Sequence, residues 1–147
     1  MIVEYRRTAP PAPANKIAEL DSQLPGVLPE DYRAYLRHQD GGRLTSNDEA
    51  IKEIFGVGDV PDHASIWAKL EVYEGRVPTW LVPVASDAFG NLFCLSLRGT
   101  DHGSVWFWDH EGEPEDDDDT PTEENLTFKA RSWQEFLDRL QPFQLEE

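Results

Sequence analysis

Trp80-Leu81-Val82-Pro83-Val84-Ala85-Ser86-Asp87-Ala88-Phe89-Gly90-Asn91-Leu92-Phe93-Cys94-Leu95-Ser96-Leu97 holds two short apolar runs around a polar, glycine-bearing turn. Runs of this length, rich in Val, Leu and Phe and bounded by Asp, Gly and Asn, read as neighbouring antiparallel strands. In the second run Phe93, Leu95 and Leu97 fall on one face. Pro83 has no backbone donor, so it places the first run at a sheet edge or at a bulge. A second turn, residues 99–103, leads into Ser104-Val105-Trp106-Phe107-Trp108, a third strand. Successive short runs joined by tight turns predict an antiparallel meander.

Outward from this stretch the periodicity changes. Residues 62–74 are predicted helical, with Ile66, Leu70 and Tyr73, or Trp67 and Leu70, on the buried side and Gly75 as the stop. Within residues 43–60, Asn47 to Phe55 stays open between a short helix and a strand-and-turn, because Ile51, Ile54 and Phe55 suit a helix while the flanks are polar, and Gly56 and Gly58 close it. Residues 29–39 are predicted helical more sharply. Pro29 suits the first helical position, Glu30 and Asp31 favour the positive helix N-terminus, Tyr32, Tyr35 and Leu36 form one stripe, and Gly41-Gly42 offer a left-handed stop. Ile17, Leu20 and Leu24 mark another helix, ended by Pro25-Gly26. Thr8 to Pro13 reads as extended and polyproline-like, making residues 1–14 a lead-in. On the other side, Ser132-Trp133-Gln134-Glu135 matches a capping box, and Trp133, Phe136, Leu137 and Leu140 repeat at helical spacing before Pro142. The expectation is one α+β domain over residues 1–147, with a mostly antiparallel central sheet and flanking N-terminal and C-terminal helices.

A chain of 147 residues that is 39% hydrophobic, with five Trp, seven Phe and four Tyr, can bury a core of its own. Its 29 acidic residues against 13 basic give a net charge of −16. That balance repels nucleic-acid phosphates and anionic membranes, so direct binding to either is not expected, and it speeds encounter with a basic partner. The N-terminus runs into Pro10 and Pro11 rather than an apolar signal core, and no stretch approaches the roughly 18 apolar residues of a membrane span. The single Cys94 excludes an intrachain disulfide and fits a reducing compartment. The cytoplasm is the expected location.

No pattern announces catalysis, and no cofactor or metal is expected. His38, His63, His102 and His110 show no zinc-ligand spacing. Gly56-Val57-Gly58 lacks the lysine and third glycine of a phosphate loop. Ser86 and Ser104 lie in no nucleophile-elbow context. Asp87 with Asp101 or Asp109 could pair as carboxylates, as many others could in so acidic a chain. The charge itself is unevenly placed. No Lys or Arg falls between Arg98 and Lys129, a window that holds Glu111, Glu113, Glu115, Asp116, Asp117, Asp118, Asp119, Glu123 and Glu124. Such a run repels itself, so residues 111–124 are expected to form an exposed loop. Two readings stand: a solvated charge run, or a landing surface for a cationic partner. Calcium is a poor third, since Asp116 to Asp119 are consecutive and lack the mid-loop glycine of an EF-hand. Beside the loop, Trp106 and Trp108 share one strand face and Val105 and Phe107 the other. Trp80, Trp106 and Trp108 are therefore either core residues or an aromatic patch of the kind that anchors protein partners.

Four segments, in order, carry a resemblance. They are Leu28-Pro29-Glu30-Asp31-Tyr32 running to Asp40-Gly41-Gly42, then Val84 to Leu95 with Asp and Gly in its turn, then Val105-Trp106-Phe107-Trp108-Asp109-His110-Glu111, and finally Ala130-Arg131-Ser132-Trp133-Gln134-Glu135-Phe136-Leu137. In this order the chain resembles the SUKH superfamily, which includes fungal cell-wall-assembly regulators and many bacterial immunity proteins. Trp133 stands where that family usually has Phe, and the 111–124 segment is more acidic than usual. The resemblance implies an α+β fold and a role without catalysis: binding and neutralising a toxin, often a nuclease, delivered by neighbouring cells. Nuclease domains tend to be basic because they hold phosphates, so an acidic inhibitor is an electrostatically sensible complement. The expected partner is a cognate, basic toxin domain whose site is occluded. The expected contacts are Glu113, Glu115, Asp116, Asp117, Asp118 and Asp119, with Asp109 and Trp108 at the edge of the loop. A regulatory scaffold without a toxin partner is the alternative.

Overall fold

A computed structural model describes residues 2–113 and 121–143. Seven strands, β1 (Tyr5–Thr8), β2 (Gly42–Leu44), β3 (Ile51–Ile54), β4 (Leu81–Asp87), β5 (Leu92–Ser96), β6 (Val105–Trp108) and β7 (Leu126–Ala130), form one sheet. The sheet runs β1 to β7 in sequence order and every pair is antiparallel. Helices α1 (Ala14–Gln23) and α2 (Glu30–His38) lie between β1 and β2, α3 (Ile66–Val72) between β3 and β4, and α4 (Trp133–Arg139) after β7. This is the expected α+β architecture.

The β4–β5 hairpin turns where its sequence says it should. Asp87 Oδ1 accepts from the backbone N–H of Phe89 at 2.8 Å and of Asn91 at 2.9 Å, and Gly90 takes the left-handed φ of 88°. β4 is the fourth of seven strands, so Pro83 is not at an edge. The register slips between Pro83 and Ala85 and leaves the proline beside a bulge. Asn47 to Phe55 resolves as a turn followed by β3, the strand-and-turn option. The predicted helix over 62–74 is shorter and broken. Asp62–Ala64 makes a 3-10 turn, and Ser65 then caps α3 through its hydroxyl.

Gly41-Gly42 does not stop α2. The helix ends at His38 with Gln39 extended, and the glycines serve the sheet instead. A Cβ on Gly41 would meet the Ile54 carbonyl oxygen at 2.2 Å, and its φ of 76° already disfavours a side chain. The neighbouring Asp40, buried, accepts from Val57 N–H at 2.7 Å and Gly58 N–H at 2.8 Å and ties the 55–58 segment to the helix end. Two strands lie outside the sequence expectation. Tyr5–Thr8, assigned to the lead-in, pairs with β2, and Leu126–Ala130 forms the opposite edge.

Helices cover both faces of the sheet. On one, Phe136 of α4 meets Phe93 at 5.2 Å between ring centroids, and Trp133 is wedged edge-on against Tyr32 and Tyr35 of α2, each at 5.5 Å. α4 is capped as its sequence indicates, with Ser132 Oγ accepting from Glu135 N–H at 3.1 Å. The return bond differs from the expected box, because Glu135 accepts from Arg131 N–H at 2.9 Å. Asp31 of α2 accepts from Gln134 N–H at 3.0 Å and joins the two helices. On the other face lie α3 and the turn behind it. Cys94 is wholly buried in β5, and burial pushes its thiol pKa well above the usual range.

Candidate functional site

β6 alternates like any strand, which splits its aromatics between the two faces. Phe107 points to the α4 side, 5.3 Å from Phe93. Trp106 and Trp108 point to the other side and there do different things. Trp108 is wholly buried: Tyr73 meets it edge-on at 5.5 Å, and the Arg76 guanidinium lies 5.8 Å from its ring. It is a core residue, and the expectation that it contacts a partner is corrected. Trp106, half-buried, sits in an outward cluster with Trp80 at 5.6 Å and Phe128 of β7 at 5.6 Å, both edge-on. Phe128 keeps 49% of its surface exposed. Ser104 fixes the Trp106 indole by accepting from its Nε1 at 2.9 Å.

Two arginines organise this face. Arg98 stacks on Trp80 at 3.5 Å and reaches Trp106 at 5.7 Å, within cation–π range. Asp101 holds it through a two-point pair, Nε to Oδ1 at 2.8 Å and Nη2 to Oδ2 at 3.0 Å. The hydrogen bond from Arg98, helped by one from Ser96, keeps the Asp101 carboxyl below the usual carboxylate range. Arg76 lies 4.7 Å over Tyr73 and is held by Glu113, with Nη2 to Oε1 at 2.6 Å and Nε to Oε2 at 3.1 Å. The Glu113 bond holds the Arg76 pKa above its ordinary value.

The connection between β6 and β7 carries the acidic run. Its root is closed by two bonds, Asp109 N–H to the Asn125 carbonyl at 3.0 Å and Asn125 Nδ2 to the Asp109 carbonyl at 2.8 Å. Asp109 Oδ1 accepts from Glu111 N–H at 2.9 Å and shapes a 3-10 turn, His110–Gly112. Both ends of the connection fold back over the aromatic face, Glu113 onto Arg76 and Glu123 toward Arg98 at 3.8 Å. Of the expected contact residues, the structure therefore brings Asp109 and Glu113 together at the loop root. Glu115, Asp116, Asp117, Asp118 and Asp119 lie outside the described residues. Phe128, Arg76 and Arg98 were not singled out in the sequence. The alternation of Leu126, Phe128 and Ala130 was a strand signal, but stacking of arginine on a ring distant in sequence leaves none. Among the described residues no group of three or more His, Cys, Asp or Glu side chains is arranged to hold a metal ion, and no helix is long and apolar enough to cross a membrane.

The chain is similar to the SPbeta prophage-derived uncharacterized protein YokK of Bacillus subtilis (strain 168), at 29% identity over 83% of this chain and 71% of the relative. The model of the SMI1 / KNR4 family (SUKH-1) matches residues 11–139, from the approach to α1 to the last residue of α4. The chain belongs to the SMI1 / KNR4 family (SUKH-1).

Proposed function

We propose that this protein is a non-catalytic immunity protein that binds a basic toxin domain, of the nuclease class, and occludes its site. The observation that carries the proposal is the Trp80–Trp106–Phe128 cluster bordered by carboxylates, on a chain of net charge −16. Aromatic anchors ringed by polar groups are the anatomy of a binding hot spot, and carboxylates around them match a surface built to hold phosphates. The family membership supports the same reading, as does the prophage origin in the relative's name. In the mechanism, Glu113 and the 115–119 carboxylates steer the encounter and stand in for the nucleic-acid backbone. Trp106 and Phe128 then bury against the partner, while Asp109 holds the loop root in shape. No bond is made or broken. Such a protein acts in the cytoplasm, where an incoming nuclease does its damage.

The test is calorimetry against a panel of basic nuclease toxin domains, together with an assay of each nuclease. Tight binding that weakens with salt and abolishes cleavage is expected. Binding indifferent to salt, or none, would favour a regulatory scaffold and leave the acidic run as a solubility feature.

A further inference from the structure

At the β1 end of the sheet the charge reverses. Arg6, Arg43 and Lys52 have no carboxylate partner among the described residues, and all three line one cavity of about 460 Å³ beneath the β2–β3 connection. No Asp or Glu among the described residues lines it, in a chain that carries 29 of them. Two β-bulges produce this arrangement. Tyr5 pairs with Leu44 and Arg7 with Arg43, so Arg6 and Arg7 both oppose Arg43. Ile51 pairs with Asp87 and Glu53 with Ser86, so Lys52 and Glu53 both oppose Ser86. Each bulge thus sets two consecutive charged residues against one partner, a device that re-aims side chains. The inner two, Arg7 and Glu53, bind each other at 2.7 Å with Glu53 buried. The outer two, Arg6 and Lys52, line the cavity together with Arg43, which stands opposite Glu53 in the β2–β3 register.

The cavity wall is fixed in advance. Buried Asn47 accepts from Glu49 N–H at 3.2 Å and Ile51 N–H at 3.0 Å and donates to the Thr45 and Ile51 carbonyls, each at 2.9 Å. The segment after α4 is laced to the same loop, with Asp48 N–H to the Gln141 carbonyl at 2.9 Å and Phe143 N–H to the Ser46 carbonyl at 3.1 Å. Ala50, also on the wall, is the single non-glycine residue with positive φ among those described, at 56°. Non-glycine residues held in that region cluster at binding sites. Phe143, 58% exposed, offers a ring beside the cations.

We infer that this cavity binds a small phosphorylated compound. Two arginines and a lysine in the lining suit the charge of a phosphate, and the Phe143 ring suits a planar body attached to it. The volume falls in the range of small-molecule sites. The net charge of −16 selects against polymeric anions such as nucleic acid, whose many phosphates feel the whole field. A compact anion at the cavity feels mainly its three neighbours, because salt screens charges beyond about 8 Å at physiological strength.

The test is an amide-resolved NMR titration of the full chain at constant ionic strength, with tripolyphosphate and adenosine monophosphate as probes and sodium sulfate as control. Saturable shifts confined to residues 43–52 and 88 are expected with both phosphates, and adenosine monophosphate alone should also move the Phe143 ring. Replacing Arg6, Arg43 and Lys52 by Gln should weaken binding at least about 10-fold. The triple variant R37Q/R131Q/R139Q makes the same charge change away from the cavity and should leave binding unaltered. Absence of saturation at about 10 mM phosphate, an equal response to sulfate, or equal weakening in the control variant would overturn the inference.

Discussion

The two faces of β6 are built from the same residue types and do opposite work. Toward α4, Phe107 and Phe93 continue into Phe136 and Trp133, a dry stack closed by a helix. Toward the other side, Trp106 and Trp108 meet Arg98 and Arg76, and each arginine is clamped by a carboxylate. The first face is held by burial, which is insensitive to salt and to pH. The second is held by stacking and ion pairs, buries Trp108, and stays partly open around Trp106 and Phe128. An aromatic residue in a strand therefore says little by itself; what covers it decides whether it joins the core or stays at the surface.

Substitutions can break this division or sharpen it. Trp133→Ala, which empties the centre of the closed face, should cost about 3–5 kcal/mol in denaturant unfolding. A loss below 1 kcal/mol would mean that the α4 stack is not where stability resides. Trp106→Ala on the open face should leave the fold largely intact but cost about 2 kcal/mol, or some 30-fold, in affinity for the proposed basic toxin domain. Equal affinity with wild type would remove the aromatic cluster from the interface. Ser132→Ala, which strips the cap from α4, should lower stability by about 1 kcal/mol, and Ser132→Asp should preserve it. Replacing Asp116 to Asp119 with Asn should slow association and flatten its salt dependence without changing the melting temperature. The smallest effect belongs to the exposed pair. Asp101 has a folded pKa below its ordinary value, so its contribution is present above the unfolded value of about 3.8 and fades as the pH falls through the folded one. In Arg98→Gln the Asp101 titration followed by NMR should move upward; an unmoved midpoint would assign the depression to Ser96 instead.

The sequence announced the closed face more clearly than the open one. α4 was legible because its cap, its 133–136–137–140 spacing and its stop all lie within about ten residues, and the β4–β5 hairpin because Asp87 and Gly90 dictate its turn. Gly41 and Gly42 were visible but misassigned. A glycine pair after a helix suggests a cap, whereas the need here comes from Ile54 and Arg7, distant in sequence. β1 was hidden by the adjacent prolines, and β7 by the acidic run before it. The arginine stacks, and the bulges that sort charge at the β1 end, depend on register between strands, which no local pattern encodes.

The pair of hydrogen bonds between Asp109 and Asn125 closes the β6–β7 connection into a handle whose grip is independent of its length. Because the strands follow one another in sequence order and this connection joins the last two, residues can be inserted or exchanged there without disturbing any pairing in the sheet. On the proposed reading, the loop could be rewritten while the scaffold is kept, so that part of recognition and folding could evolve on separate clocks.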